Sequence, residues 1–308
     1  MENRSRMKVY LGLPRGFCAG VVRAIDVVEM VLEKFPPPIY VKHQIVHNPY
    51  VVKSLEDKGA ITVENVEDIP EGAVVVFSAH GSPPSDFDKA ETRNLRVIDA
   101  TCPLVTKVHL EAIRYNKENY SIILIGHKGH QEVIGTMGEA PMFLVGNIED
   151  VNNLDINSEK IAYITQTTLS LDDTKNIVDA LKKKYLNIES PKSKDICYAT
   201  QNRQNAIKEL TKTCELILVV GSKNSSNSNR LVETAELHGC KSYLIENKNF
   251  VDEEWLKNVE NLGISSGASA PEILVQELVD DLKNKFNCKI EYSNIIEENI
   301  KFTLPMIK

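Results

Sequence analysis

The segment RVIDATCPLVTKVHLEAIRY, residues 96–115, runs from a β-branched strand pattern through a cysteine into an amphipathic helix pattern. The same order occurs in KVYLGLPRGFCAGVVRAI, residues 8–25, and in SKDICYATQNRQNAIKEL, residues 193–210. The cysteines at these three places are Cys18, Cys102 and Cys197. Strand patterns that alternate with helix patterns are typical of the α/β class. The recurrence therefore predicts one α/β unit that occurs three times.

Two further polar loops recur after each cysteine. The first loop begins 24 residues further on, at Lys42, Gly126 and Gly221. The second loop follows another apolar strand pattern and lies at His80, at Thr167 and around Ser266. Strand, loop and helix recur in any α/β protein, but the shared lag and the cysteines together favour a genuine repeat. A length of 308 residues would suit two ordinary domains or three small ones, and the repeat favours three.

The predicted sheets are parallel and buried on both faces. The runs AVVVF, SIILI and LILVV are continuously apolar, as parallel strands covered by helices require. We predict α/β units at residues 19–102, 103–193 and 194–308, with residues 1–18 packing on the third. The predicted strands are Lys8–Leu11, Ile39–Val41, Val74–Phe77, Arg96–Ile98, Ile122–Ile125, Ile161–Ile164, Leu216–Val220 and Ser242–Ile245. The predicted helices are Val21–Lys34, Val105–Lys117, Thr174–Tyr185, Gln204–Lys212, Asn229–His238 and Ala270–Phe286.

Composition excludes several classes of protein. The formal net charge is −7, from 36 Lys+Arg and 43 Asp+Glu, which argues against a protein built to bind a nucleic-acid backbone. The sequence has no apolar run of 18 residues and no signal-peptide pattern, so we expect no membrane partner. We expect a bacterial cytoplasmic protein, or the mature form of a plastid-type organelle protein without its targeting segment. Six cysteines are too sparse for a disulfide scaffold, so reduced thiols are expected.

The three repeated cysteines form a candidate metal site. Each follows a strand pattern and precedes a helix, whose positive N-terminus favours the thiolate form that binds metal. Three units around a pseudo-threefold axis would bring the thiolates together, which suits a [4Fe–4S] cluster with one iron that lacks a protein ligand. Zinc is the alternative metal, but the CxxC pairs of zinc sites are missing. The remaining cysteines are expected to be buried packing residues: Cys214, Cys240 and Cys288.

Several loops point to an anionic ligand. His47, His80 and His130 lie in the recurrent polar loops, whereas His109 and His238 lie in helix patterns and are expected to be ordinary surface or core histidines. The segments SSNSN, residues 225–229, and GASAP, residues 267–271, each open a helix and offer hydroxyls and N–H groups to an oxyanion. Either segment alone could be a simple helix cap. Together with the histidines they suggest a phosphate or diphosphate.

Glu132 is the carboxylate within the glycine-rich loop GHKGHQE. Beside a cluster and an anionic ligand it could act as a general acid. Equally, a glutamate in the first turn of a helix could only complement the helix dipole. No GxGxxG motif follows a strand, and Walker and CxxxCxxC motifs are absent, so nicotinamide, ATP and radical-type cluster sites are unsupported.

Nine segments in order resemble the signature segments of the 4-hydroxy-3-methylbut-2-enyl diphosphate reductase family. They are GFCAGVVRAI, VHNPYVV, SAHG, DATCP, GHKGHQEV, TQTTLS, DICYATQNRQ, VVGSKNSSNSNRL and SSGASAPE. The tail ENIKFTLP is also similar to the end of that family, so the resemblance runs from about Val9 to Pro305. It implies a trefoil of three α/β domains around a central cluster.

The resemblance also implies a role for each matched residue. The cluster ligands would be Cys18, Cys102 and Cys197. The diphosphate ligands would be His47, His80, His130, Ser225, Asn227 and Ser269, with Ser226 adjacent. Glu132 would deliver protons, linked to His130 and to Thr167, which would help to orient the substrate hydroxyl.

The implied activity is reductive dehydroxylation of an allylic diphosphate to isopentenyl or dimethylallyl diphosphate, the last step of the non-mevalonate pathway. Because the chain has no nicotinamide motif, the electrons would come from a ferredoxin or flavodoxin-type partner. A quinolinate-synthase-like dehydratase is an alternative, since it too has three similar domains and three cluster cysteines. A second alternative is a non-enzymatic iron–sulfur sensor, which would need neither Glu132 nor an anion pocket.

Overall fold

The computed structural model describes residues 7–286, 288–293 and 296–307. Its strands are β1 (Lys8–Leu11), β2 (Ile39–Lys42), β3 (Ala60–Val63), β4 (Val74–Phe77), β5 (Arg96–Asp99), β6 (Ser121–Ile125), β7 (Met142–Val145), β8 (Ile161–Thr165), β9 (Leu216–Val220), β10 (Lys241–Ile245), β11 (Asn261–Ser266) and β12 (Lys289–Tyr292). Its α-helices are α1 (Ala19–Lys34), α2 (Pro49–Glu56), α3 (Pro84–Thr92), α4 (Pro103–Lys117), α5 (Gln131–Glu139), α6 (Ile148–Asn153), α7 (Leu171–Lys184), α8 (Tyr198–Leu210), α9 (Ser226–Leu237) and α10 (Glu272–Phe286).

The chain divides into two compact units. The terminal unit contains the described residues of Met1–Cys18, His47–Pro49 and Tyr198–Ile300. The middle unit contains the described residues of Ala19–Val46, Tyr50–Cys197 and Lys301–Lys308. The predicted boundaries of three α/β units stay a prediction. Their parts at residues 1–6, 287, 294, 295 and 308 lie outside the described residues.

The terminal unit is built on one parallel sheet in the order β10-β9-β11-β1-β12. The first described strand lies inside this sheet, because Lys8 pairs with Asn261 on one side and with Lys289 on the other. All five residues of β9 are buried, and they alternate between two cores. Leu216, Leu218 and Val220 pack in one core, and Ile217 and Val219 in the other. The continuous apolar run LILVV is thus explained by helices that cover both faces of the sheet.

The middle unit holds two parallel sheets, in the orders β3-β2-β4-β5 and β7-β6-β8. The central strand β6 repeats the pattern of β9. Ile122 and Leu124 pack in one core with residues of α4, and Ile123 and Ile125 pack in a second core with residues of α7. The α/β class with parallel sheets, predicted from the apolar runs, is confirmed.

Several element boundaries differ from the prediction. α8 begins at Tyr198, not at Gln204, because its first turns bury polar side chains such as Thr200 and Arg203 and so show no apolar period. α7 begins at Leu171, not at Thr174, after Ser170 caps it by accepting the N–H of Asp173 at 3.1 Å. The short helices α2, α3, α5 and α6 and the strands β3, β7 and β12 were not predicted. No helix in the described part of the chain is long and apolar enough to cross a membrane.

Candidate active site

Three partly exposed cysteines each stand directly before a helix: Cys18, Cys102 and Cys197. In the terminal unit, the N–H of Cys18 donates to Ala268 O at 3.2 Å. In the middle unit, the N–H of Cys102 donates to Ala79 O and that of Cys197 to Thr167 O, both at 3.0 Å. The three acceptors lie in the polar loops that follow β11, β4 and β8. Each cysteine is therefore fixed, in the same way, to the second recurrent loop of the predicted repeat.

The other three cysteines have a different environment. Cys214, Cys240 and Cys288 are buried in apolar cores. Burial raises the pKa of the Cys214 thiol to about 12 and also raises that of Cys240, which disfavours their thiolates. Their burial agrees with the expectation that these three cysteines are packing residues.

Glu132 lies in the first turn of α5 and is 2% exposed. Its carboxyl accepts two hydrogen bonds from Thr167, one from the backbone N–H to Oε1 at 2.6 Å and one from the hydroxyl to Oε2 at 3.0 Å. Burial raises the pKa of the Glu132 carboxyl to about 7, although the bonds from Thr167 oppose this shift. A carboxyl with that pKa can give up a proton near neutral pH, as general acid catalysis requires.

His130 immediately precedes α5 and caps it. Its Nδ1 accepts the backbone N–H of Glu132 at 3.2 Å. Nδ1 must then be unprotonated, so Nε2 carries the proton of the neutral ring and is the donor. Burial, assisted by His127 and His43, lowers the pKa of His130 to about 4, so the ring is neutral at physiological pH.

Three histidine rings of the middle unit follow one another edge to face. The rings of His43 and His80 have centroids 5.8 Å apart, and those of His80 and His130 are 6.1 Å apart. Ser78 Oγ lies 3.3 Å from Nδ1 of His80. The predicted residues His80, His130, Glu132 and Thr167 are thus connected within this unit. His43 was not predicted as a site residue, although it lies in the recurrent loop that begins at Lys42, four positions before His47.

The terminal unit brings together the predicted polar residues at the start of α9. Ser225 caps this helix and accepts the N–H of Ser228 at 3.2 Å. Asn227 is buried, and its Oδ1 accepts the N–H of Ala268 at 2.8 Å. Ser226 is half-buried beside them.

The loop after β11 contributes further polar groups to this region of the terminal unit. Ser269 is 7% exposed and donates its hydroxyl to the backbone carbonyl of His47 at 3.1 Å. Asn227 Nδ2 donates to Thr200 Oγ1 at 3.3 Å. Hydrogen bonds among segments that are far apart in sequence therefore hold four predicted groups in one unit: Ser225, Asn227, Ser269 and the backbone of His47.

Two supporting residues, Gln166 and Ser228, lie inside the motif segments but were not predicted. Gln166 is buried in the middle unit, where its Oε1 accepts the N–H of His127 at 3.1 Å and its Nε2 donates to Thr168 Oγ1 at 3.0 Å. Ser228 is fully buried in the terminal unit and donates to Ser225 Oγ at 3.0 Å. Both lie one position from a predicted residue, which was the available signal.

The chain is similar to known proteins over nearly its whole length. A family model described as LytB protein matches residues 9–283. A 4-hydroxy-3-methylbut-2-enyl diphosphate reductase of Psychrobacter sp. (strain PRwf-1) is 51% identical, covering 97% of this chain and 96% of that protein. The 4-hydroxy-3-methylbut-2-enyl diphosphate reductase 2 of Bradyrhizobium diazoefficiens is 53% identical, covering 97% and 98%.

Two solved structures are similar as well. The E-1-hydroxy-2-methyl-but-2-enyl-4-diphosphate reductase from Plasmodium falciparum superposes with a TM-score of 0.95 at 46% identity, covering 98% of this chain and 96% of that one. A structure described as (E)-4-hydroxy-3-methyl-but-2-enyl diphosphate reductase, the terminal enzyme of the non-mevalonate pathway, gives a TM-score of 0.65 at 30% identity, covering 90% and 99%.

Proposed function

The chain belongs to the LytB protein family, and on that basis we propose that it reduces (E)-4-hydroxy-3-methylbut-2-enyl diphosphate to isopentenyl and dimethylallyl diphosphate. This reaction is the last step of the non-mevalonate pathway. It consumes two electrons and two protons: one C–O bond breaks, one C–H bond forms, and one water leaves. The observation that carries the proposal from the site itself is the buried Glu132 carboxyl, with a pKa of about 7, bonded twice to Thr167.

The proposed cofactor is a [4Fe–4S] cluster held by three thiolates, with one iron open to the substrate. Its proposed ligands are Cys18, Cys102 and Cys197, and the donor set fits because these thiols are partly exposed and each precedes a helix N-terminus. The buried Cys214, Cys240 and Cys288 lack both properties. When bound, the cluster would supply electron transfer and a Lewis-acidic iron.

Polar groups in the loops after strands and in the first turn of α9 are the proposed ligands of the diphosphate. In the terminal unit these are the side chains of Ser225, Ser226, Asn227, Ser269 and His47. In the middle unit they are His80 and His130, of which His130 has a neutral ring with Nε2 as its donor. Fixing the diphosphate would position the allylic hydroxyl for reaction.

Glu132 is the proposed proton donor, and Thr167 its relay. When Glu132 is protonated, its O–H can donate to Thr167 Oγ1, which frees the threonine hydroxyl to donate to the substrate oxygen. His130 fixes the helix start that carries Glu132, through the N–H of that residue. Together these groups would deliver the proton that leaves with the hydroxyl oxygen as water.

The electrons need a partner, for which we propose a ferredoxin or flavodoxin-type one-electron carrier. The proposed compartment is a bacterial cytoplasm or a plastid-type organelle. The dehydratase and sensor alternatives gain no support, because the named relatives are reductases of this diphosphate.

The deciding experiment is an anaerobic assay with the cluster-replete protein, (E)-4-hydroxy-3-methylbut-2-enyl diphosphate and reduced methyl viologen. The expected result is oxidation of two viologen radicals per substrate consumed, with the two isomeric diphosphates as products. No consumption by protein with a full complement of iron and sulfide would overturn the proposed function.

A further inference from the structure

Each helix that begins after a proposed cluster cysteine carries a cation in its second turn. The helices are α1, α4 and α8. The cations are Arg23, Lys107 and Arg203, which lie five, five and six positions after Cys18, Cys102 and Cys197. None of these three side chains belongs to the proposed acid, relay, cluster or diphosphate groups. The cations therefore recur with the cysteines but have no role in the proposed chemistry.

Arg23 holds the segment that precedes Cys102. Its Nη1 donates to Thr101 O at 3.1 Å, and its Nε donates to Thr303 O of the C-terminal segment at 2.9 Å. Thr101 is 7% exposed and directly precedes Cys102. The helix that follows the first cysteine is therefore bonded to the backbone in front of the second, within the middle unit.

Lys107 holds the segment that precedes the third cysteine. Its Nζ donates to Ser193 O at 2.9 Å, to Lys194 O at 3.1 Å and to the Asp195 carboxylate at 2.8 Å. Asp195 is 4% exposed, and its other oxygen accepts the N–H of Thr165, the last residue of β8, at 2.9 Å. One ammonium group thus bonds three acceptors in the run that leads to the cysteine, and the carboxylate ties this run to the sheet.

Arg203 holds the segment that precedes Cys18, within the terminal unit. Its side chain is fully buried, and its Nε and Nη2 both donate to Gly16 O, at 3.2 and 2.7 Å. Gly16 is buried and precedes Cys18 by two positions. Hydrogen bonds from a charged donor are stronger than those between neutral groups, so this carbonyl is firmly fixed.

The three contacts follow a cyclic order along the chain. The helix after each cysteine bonds the segment before the next, and the helix after the third cysteine bonds the segment before the first. Each cysteine N–H also donates to a loop carbonyl of its own unit, so every cysteine segment is held by two separate bonds. A buried cation needs an acceptor, but that need does not explain why the acceptor precedes a cysteine in all three cases.

We propose that Arg23, Lys107 and Arg203 are positioning residues for the three proposed cluster ligands. The inference rests on the proposed function, which assigns a cluster to these cysteines. The cations fix the backbone in front of each thiolate and so resist displacement of the ligand. Outer hydrogen bonds that hold the ligands of a metal site raise its affinity for the metal. Loss of one positioning residue should therefore accelerate loss of the cluster.

The experiment measures iron release from anaerobically reconstituted, cluster-replete protein to an excess of bathophenanthroline disulfonate. Arg23→Met removes the bond to Thr101 O and leaves no charged partner behind, and it should release iron about tenfold faster than wild type. Lys34→Met is the matched control, because Lys34 of the same helix donates to Ile307 O of the C-terminal segment instead of to a cysteine segment. It should release iron at the wild-type rate.

A second pair of variants tests the contact made by α4. Lys107→Met is combined with Asp195→Asn, because removing the cation alone would leave a buried carboxylate unpaired. The asparagine oxygen can still accept the N–H of Thr165. Iron release should again be about tenfold faster than in wild type. Lys184→Met is the control, because Lys184 of α7 also donates to two successive backbone carbonyls of the middle unit, both in α6. Arg203 is left in place, since removing its fully buried cation would strongly destabilise the terminal unit.

Two further measurements separate positioning from general stability. The midpoint of urea unfolding is measured for all four variants, and the electron paramagnetic resonance spectrum of the reduced cluster should change in the Arg23 and Lys107 variants alone. Wild-type release rates and spectra in both of these variants would overturn the proposal. Equally fast release in the two controls would also overturn it, as would release rates that follow the unfolding midpoint across all four variants.

Failure of the proposed function would look different. Wild-type protein that takes up no iron and sulfide on anaerobic reconstitution would overturn the positioning residues together with the cluster. Wild-type protein that holds a full cluster but does not consume the diphosphate with reduced viologen would overturn the proposed function alone. Iron release from the same variants would then still test the positioning residues, because that readout does not depend on turnover.

Discussion

Glu132 and Thr167 are joined by two hydrogen bonds, both donated by Thr167, at 2.6 Å from the backbone N–H and 3.0 Å from the hydroxyl. The backbone carbonyl of Thr167 in turn accepts the N–H of Cys197 at 3.0 Å. One threonine therefore connects the proposed acid with a proposed cluster ligand through its own backbone. The relative position of the proton donor and that thiol is fixed by short local bonds within the middle unit.

Glu132→Gln should keep the cluster and substrate binding but lose nearly all turnover. The amide can still accept the N–H of Thr167 through its oxygen, so the local structure is preserved, but it cannot supply a proton. We expect a fall in kcat of about 100-fold or more, measured with reduced viologen.

Glu149→Gln is the matched control for this experiment. Glu149 is also in the first turn of a helix, α6 of the same unit, but it is exposed. Its kcat should stay at the wild-type value. If Glu132→Gln also turns over normally, Glu132 serves only the dipole of α5 and leaves the mechanism.

The pH dependence of kcat should have a falling limb near pH 7. Burial raises the Glu132 pKa from 4.5 to about 7, so the carboxyl is protonated below that pH and loses its proton above it. An acid catalyst is then lost as the pH rises through about 7.

Because the hydroxyl of Thr167 stabilises the carboxylate and lowers this pKa, Thr167→Val should move the falling limb of the residual activity to higher pH. Thr168→Val, whose hydroxyl contacts Gln166 instead, should leave the midpoint in place. A shift to lower pH in Thr167→Val would contradict the assignment.

Central strands and long helices were predictable because their apolar patterns are local. β6 and β9 are buried on both faces, and the nearly continuous apolar runs SIILI and LILVV predict this burial. The three strands that were not predicted, β3, β7 and β12, all lie at sheet edges, where each strand has at most one buried residue. The unpredicted helices have six to nine residues, too few for a helical period to emerge.

Some residues of the candidate site could likewise be predicted from local sequence patterns, whereas other features of the site could not. The cysteines could be found because they recur with strands and helices of fixed spacing. The raised pKa of Glu132 could not be found, since it depends on burial beneath a loop 35 positions away. Gln166 and Ser228 were passed over for the same reason: their partners are set by tertiary contacts, not by the motif around them.

His130 has two roles that substitution can separate. Asparagine is a good helix cap, so His130→Asn should keep the bond to the Glu132 N–H and the stability of α5 while removing the imidazole. We expect a higher KM for the diphosphate and an unchanged midpoint of urea unfolding. His130→Ala should raise the KM similarly and also lower the free energy of unfolding by about 1 kcal/mol. An unchanged KM in His130→Asn would show that the ring does not bind the substrate.

Cys102→Ser should lose iron and sulfide while the protein stays folded. Cys102 is the cap residue of α4, and serine is a favourable cap, so the substitution removes the thiolate without harming the helix. Iron and sulfide are measured after anaerobic reconstitution, together with the visible absorption. In the control Cys240→Ser, the hydroxyl can take over the bond from Sγ to Cys214 O, and the metal content should equal that of wild type. Full metal content in Cys102→Ser would remove Cys102 from the ligand set.

A buried ion pair in the terminal unit should dominate the stability contributed by the C-terminal segment. Arg203 of α8 has a fully buried side chain and contacts the Glu298 carboxylate at 3.1 Å. The same guanidinium donates to Gly16 O at 2.7 Å, two residues before Cys18. Glu298→Ala would leave the buried cation without its carboxylate, and we expect the free energy of unfolding in urea to fall by about 3 kcal/mol. The neighbouring Glu297 is exposed, so Glu297→Ala should change it by less than about 0.5 kcal/mol. Equal losses in the two variants would mean that the segment is stabilised by its backbone rather than by this pair.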